Sequence, residues 1–162
     1  MSTILALDVA TRTGAAVGEP GTNPKIFCVD FRAGGDVFTN CVRWATRVFT
    51  ERPPELVVLE DLVPKYDKTV QCGLHSIISG IAGANGVPVE GAPIQTWRAL
   101  VLGNGKLSRQ HAKTRAIQVC AQLGWPVKND DEAEAACIWL YACSLKAPRL
   151  AQRIPFFMRG AA

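Results

Sequence analysis

Two short apolar runs, each closed by a carboxylate, constrain this chain most. Ile4-Leu5-Ala6-Leu7 ends at Asp8, and Leu56-Val57-Val58-Leu59 ends at Glu60. A continuous apolar run of four residues is the pattern of a strand buried on both faces, as in a parallel sheet covered by helices. A charge at the end of such a strand is costly to bury unless it is paired or bound to a cation. Ligands of α/β sheets collect at the carboxyl ends of strands, so Asp8 and Glu60 share one mouth if the two strands are neighbours.

The remaining pattern fills in an α/β chain. Thr11 to Gly14 reads as a turn, Ala15 to Val17 as a return strand, and Ile26 to Phe31 as a third strand, so the first three strands form a meander. Apolar residues at 37, 41, 44, 48 and 49 predict a helix over 36–51. A second helix is expected over 69–85, with Gly86 as its stop, and a short edge strand over Val87-Pro88-Val89. Residues 94–102 read as short helix or extended chain. Ser108 caps a helix to Leu123 that Gly124 ends, and Asp130-Asp131 opens a last helix through Leu145. The 162 residues are enough for one self-sufficient core. A single domain over 1–162 is expected, with a basic tail from about 146. No apolar run approaches the ~18 residues of a membrane span, and the amino terminus carries no leader pattern, so a cytoplasmic location without membrane partners is expected.

The six cysteines, at 28, 41, 72, 120, 137 and 143, have no zinc-like spacing and read as reduced core residues. The four tryptophans, at 44, 97, 125 and 139, also read as core, Trp125 being the one candidate for base stacking. His75 reads as structural, and His111 as a phosphate contact or an exposed side chain.

Charge is unevenly spread. The net charge of +4 conceals an acid-free stretch from Gly91 to Asn129 that holds Arg98, Lys106, Arg109, Lys113, Arg115 and Lys128. An acidic cluster follows at 130–134, then a basic end with Lys146, Arg149, Arg153 and Arg159. Such a distribution fits a polyanion partner or a solvated basic face. In the acidic cluster, Asp131 and Glu134 share one helical face, but Asp131-x-x-Glu134 also matches a capping box. Singly, Asp8 fits a turn start and Glu60 an exposed strand end.

Taken together, Leu7-Asp8-Val9-Ala10-Thr11-Arg12-Thr13-Gly14, Leu59-Glu60, Gly103-Asn104-Gly105-Lys106 with Ser108-Arg109, and Asp131-Glu132-Ala133-Glu134-Ala135 resemble, in order and spacing, the RuvC-type Holliday junction resolvases of the ribonuclease H-like superfamily. The resemblance runs from about residue 3 to about 145, and its compactness is that of a phage or prophage member. It implies a mixed five-stranded sheet flanked by helices, and a homodimeric endonuclease that cuts four-way junctions or related branched DNA to leave 5′-phosphate ends. It further implies two Mg²⁺ ions, replaceable by Mn²⁺, held about 4 Å apart by Asp8, Glu60, Asp131 and Glu134, and no nucleotide cofactor. Whether Asp130 or Asp131 is the third ligand stays open. DNA contacts are expected from Arg109 beside the scissile phosphate and from Lys106, Lys113, Arg115, Lys65 and Tyr66. The 69–85 helix is a candidate dimer face, although packing on the sheet explains its apolar stripe equally well. The resemblance departs at Glu134, where the family usually carries Asp, and after Glu60, where the family's aromatic is missing and either Tyr66 substitutes for it or the junction is opened differently. The competing readings are a non-catalytic binder of branched DNA and a fragment of an actin-like ATPase.

Overall fold

The computed structural model describes residues 3–63 and 69–151. In chain order these form β1 (Ile4–Asp8), β2 (Arg12–Gly18), β3 (Lys25–Asp30), α1 (Val37–Glu51), β4 (Leu56–Glu60), α2 (Thr69–Ala84), β5 (Val89–Ala92), α3 (Ile94–Trp97), a π-helical turn over Arg98–Leu102, α4 (Arg109–Leu123), α5 (Asp130–Lys146) and α6 (Pro148–Ala151). Five strands make one sheet in the order β3-β2-β1-β4-β5. β1, β2 and β3 pair antiparallel as the expected meander, while β1–β4 and β4–β5 are parallel.

Strand alternation divides the core into two layers. Leu5, Leu7, Val57 and Leu59 face α1 and α2, meeting Trp44, Phe49, Leu74 and Ile78. Ile4, Ala6, Ala16, Leu56 and Val58 face the other way, toward α5 and α4. α5 lies between the sheet and α4 and is buried continuously from Glu132 to Cys143. That position explains why its sequence is apolar all round rather than striped. Small residues on the sheet let it come close. At Gly14 a Cβ would overlap the Asp131 carbonyl, so only glycine admits the first turn of α5 at this point. Trp139, fully buried, donates through Nε1 to the Ile4 carbonyl at 3.2 Å and fixes the helix body on β1.

Several local expectations are corrected. The edge strand begins at Val89, after Pro88, because proline has no N–H for the ladder; its carbonyl still accepts from Val57 N–H at 2.9 Å. Of the two readings open for residues 94–102 the helical one holds, α3 passing into the π turn that ends at Gly103, where φ is +83°. Trp125 is buried, edge-on to Trp139 with centroids 5.9 Å apart and its Nε1 donating to Asn23, and so offers no stacking platform. Cys41, Cys120, Cys137 and Cys143 are buried as expected, but Cys28 is half-buried and Cys72 exposed; all six are free thiols. The last helix is capped by Asn129, whose side chain accepts from Glu132 N–H at 2.9 Å, while the Glu132 carboxylate accepts from Lys128 N–H at 2.7 Å. The capping work falls to Asn129 and Glu132, which leaves Asp131 and Glu134 without a capping role.

Candidate active site

The parallel pairing of β1 and β4 sets Leu7 beside Leu59, so the next residues, Asp8 and Glu60, emerge together at the carboxyl end of the sheet. The first turn of α5, seated over Gly14, brings Asp131 and Glu134 to the same place. All four acids line one cavity of about 360 Å³. Arg98, Arg109, Lys113 and Gln71 also line it. The π turn and α4 supply the cations and α2 supplies the amide.

Electrostatics mark the cavity as crowded with negative charge. Burial pushes the Asp8 carboxyl well above the usual range, and the charges of Glu60, Glu134 and Asp131 push it further. Glu134, 6% exposed, is pushed up to about 7, first by burial and then by Glu60, although Arg98 and Lys113 pull it back. Asp131 is raised by burial and by Asp130, against Arg12. Asp130 behaves oppositely: a hydrogen bond from Lys113 holds its carboxyl below the ordinary value. Asp131 lines the cavity, whereas Asp130 lies outside its lining and pairs with Lys113.

Several side chains steady this cluster. Trp97 Nε1 donates to Glu60 Oε1 at 3.0 Å, and the neighbouring Arg98 reaches Glu134 Oε1 at 3.4 Å. The Arg98 guanidinium also lies over the Trp97 ring, 5.3 Å from its centroid. Arg12 pairs with Asp131 at 3.0 Å. Gln71 Nε2 donates to the Val9 carbonyl at 2.6 Å, tying α2 to the turn after Asp8. Sequence reasoning missed these supporting roles. Trp97 carried only a core signal and Arg98 only a share in a basic stretch; nothing in the sequence distinguished Gln71.

The predicted DNA contacts separate into groups. Arg109 is exposed at the cavity rim, and Lys113 lines the cavity beside Asp130. Lys106 is exposed in the turn before α4, away from the cavity lining. Arg115 is half-buried and committed to the Leu102 carbonyl and Gln118. His111 shares a hydrogen bond with the capping Ser108 at 2.9 Å. Lys65 and Tyr66 lie outside the described residues, as does the tail beyond residue 151.

Among the described residues no three acid, histidine or cysteine side chains converge into a ready-made metal cage. The donor set nevertheless suits a hard divalent cation: every candidate ligand is a carboxylate oxygen, and half-buried Asp8 lies among three other acids whose mutual repulsion a cation would relieve. Among the described residues no helix is long and apolar enough to cross a membrane.

No protein-family model and no curated protein sequence matches the chain. Solved structures do. Thermus thermophilus RuvC matches with a TM-score of 0.63 at 15% identity, covering 97% of this chain and 95% of that one. The same protein in complex with a Holliday junction substrate also gives 0.63, at 16% identity, covering 98% and 96%. The fowlpox virus Holliday junction resolvase gives 0.61 at 15% identity, covering 88% and 99%. The sheet order, the flanking helices and an alignment that covers nearly the whole of both chains show that the chain has the ribonuclease H-like fold of these resolvases.

Proposed function

We propose that the chain is a metal-dependent endonuclease that cuts four-way DNA junctions or closely related branched DNA and leaves 5′-phosphate ends. The observation that carries this reading is the convergence of Asp8, Glu60, Asp131 and Glu134 on one cavity edged by Arg109 and Lys113. The solved structure of a similarly folded protein on a Holliday junction supports the choice of substrate.

Asp8, Glu60, Asp131 and Glu134 would hold two Mg²⁺ ions, with Mn²⁺ as a substitute. Bound there, the ions supply Lewis-acid activation of water and neutralise charge on the leaving oxygen. The chain's own residues do the rest. Trp97 and Arg98 fix the orientation of Glu60 and Glu134, which limits the rearrangement needed when a ligand arrives. Arg109, exposed at the rim, meets a phosphate entering the cavity and stabilises charge that grows at phosphorus oxygens in the transition state. Lys113 shares its charge between Asp130 and the cavity, and Lys106 extends the positive rim toward the flanking backbone. Arg115 braces α4 against the π turn.

A non-cutting junction binder is disfavoured by the same cavity, because four carboxylates facing phosphates repel them unless cations intervene. A four-way junction presents two symmetric strands, so a homodimer suits the reading. The outer face of α2 supports it, since Gly80 and Gly83 have open space around them. The deciding experiment is cleavage of a synthetic four-way junction with Mg²⁺, compared with duplex, flap and RNA–DNA hybrid. Selective paired cuts in the junction with ligatable ends support the proposal. Junction binding without cuts in either Mg²⁺ or Mn²⁺ removes it.

A further inference from the structure

At the opposite end of the sheet from the carboxylates lies a second cavity, of about 470 Å³. Its floor is apolar, formed by Leu5, Val17 and Phe27 from three adjacent strands and by Trp44 and Val48 from α1. Its cationic residues are Lys25 on β3, Arg47 near the end of α1, and Arg52 in the turn that follows. Glu51 is its one acid. Arg47 and Arg52 are exposed, and among the described residues none of the three cations forms an ion pair. Lys25 Nζ sits 5.8 Å from the Phe27 ring centroid, which joins the positive rim to the apolar floor. Along β1, Leu5 in this floor is three residues, roughly 10 Å of extended chain, from Asp8, and the two cavities share no lining residue, so an occupant would leave the carboxylate cavity open.

We propose that this hollow is a docking site for an acidic peptide segment of a partner protein, one that carries an aromatic or branched aliphatic anchor. Charge complementarity selects the acidic part: three unpaired cations against one acid favour carboxylates by encounter rate and by register. The concave apolar floor selects the anchor, since buried apolar side chains in a pocket supply most of the affinity of such contacts. A nucleic-acid backbone would use the cations but leave the floor uncovered, which makes it the weaker occupant.

The test is fluorescence anisotropy with the full chain and a labelled twelve-residue peptide carrying four glutamates and two phenylalanines. Three controls accompany it: a peptide with glutamines for the glutamates, one with alanines for the phenylalanines, and a short duplex DNA. The protein variants are Arg47→Glu with Arg52→Glu, both exposed and so compatible with folding, and Val48→Trp, which fills the floor while keeping the cations. Melting curves confirm that each variant folds. Saturable binding that falls at least tenfold with either altered peptide and with both variants supports the proposal. Absence of saturable binding to the wild-type chain overturns it. So does binding indifferent to the phenylalanines and to Val48→Trp, above all if duplex DNA binds as well and is lost on charge reversal; the hollow would then be a polyanion surface.

Discussion

Glu134→Gln should stabilise the metal-free protein, although it alters a residue at the centre of the cavity. Burial and the neighbouring Glu60 raise the Glu134 carboxyl from 4.5 to about 7. The native state therefore binds more protons than the unfolded chain between those values, and stability falls as pH rises through that window. A displacement of this size corresponds to about 3 kcal/mol, fully expressed above pH 8. Glutamine keeps an acceptor for Arg98 and carries no charge, so it reproduces the protonated acid at every pH. In EDTA at pH 8 the variant should melt roughly 6–12 °C above wild type for a chain of this size, and near pH 4.5 the two curves should converge. Mg²⁺ should then raise the wild type more than the variant, because a cation bound by the native state relieves the same repulsion. Thermal melts of both proteins across pH, with and without Mg²⁺, measure all of this. A variant less stable than wild type at pH 8 in EDTA, or a difference independent of pH, would refute the reasoning.

Asp8→Asn should retain junction binding and reduce cleavage by at least a hundredfold, because the cations on the rim stay while the acid at the end of β1, among the other three, is neutralised; gel-shift and single-turnover cleavage check both halves. Titration calorimetry with Mg²⁺ or Mn²⁺ should lose its heat signal in the same variant, and an unchanged isotherm would place the ions elsewhere. Arg109→Ala should slow single-turnover cleavage more than it weakens binding, since a rim cation acts most strongly on charge that develops in the transition state; an equal loss in both would make it a simple backbone contact. Lys113→Ala should let the Asp130 carboxyl rise toward its ordinary value, which carboxyl-carbon NMR titration reads directly. Gly14→Ala should cost about 1–3 kcal/mol, because its Cβ meets the Asp131 carbonyl and forces α5 to shift; denaturant unfolding measures it.

The apolar runs at 4–7 and 56–59 made the sheet legible, since only burial on both faces explains four consecutive apolar residues closed by an acid. The helix stops were legible too, because Gly124 takes a left-handed φ of +71° at the end of α4. The π turn was not, since nothing in Arg98-Ala99-Leu100-Val101-Leu102 departs from an ordinary helical sequence. The capping of α5 was misplaced by two residues. Asn129 and Asp131 are both good caps by type, and only the approach of α5 to Gly14 settles which one turns outward. That approach also puts Asp131, and not Asp130, on the cavity lining, a difference that spacing alone does not show. The supporting contacts of Trp97, Arg98 and Gln71 stayed hidden because each joins elements distant in sequence, and a single chain shows no trace of such pairings. The second cavity escaped notice for the same reason: Lys25, Arg47 and Arg52 meet only when α1 lies across the meander.

The continuous burial of α5 ties chemistry to folding in a particular way. The helix that presents Asp131 and Glu134 also carries Trp139, anchored to the Ile4 carbonyl, and no solvent-facing hinge divides them. Its central amides should exchange with solvent only when the whole molecule opens. The geometry of the two acids then has no partially loosened state to pass through, so heat inactivation and loss of secondary structure should share one midpoint.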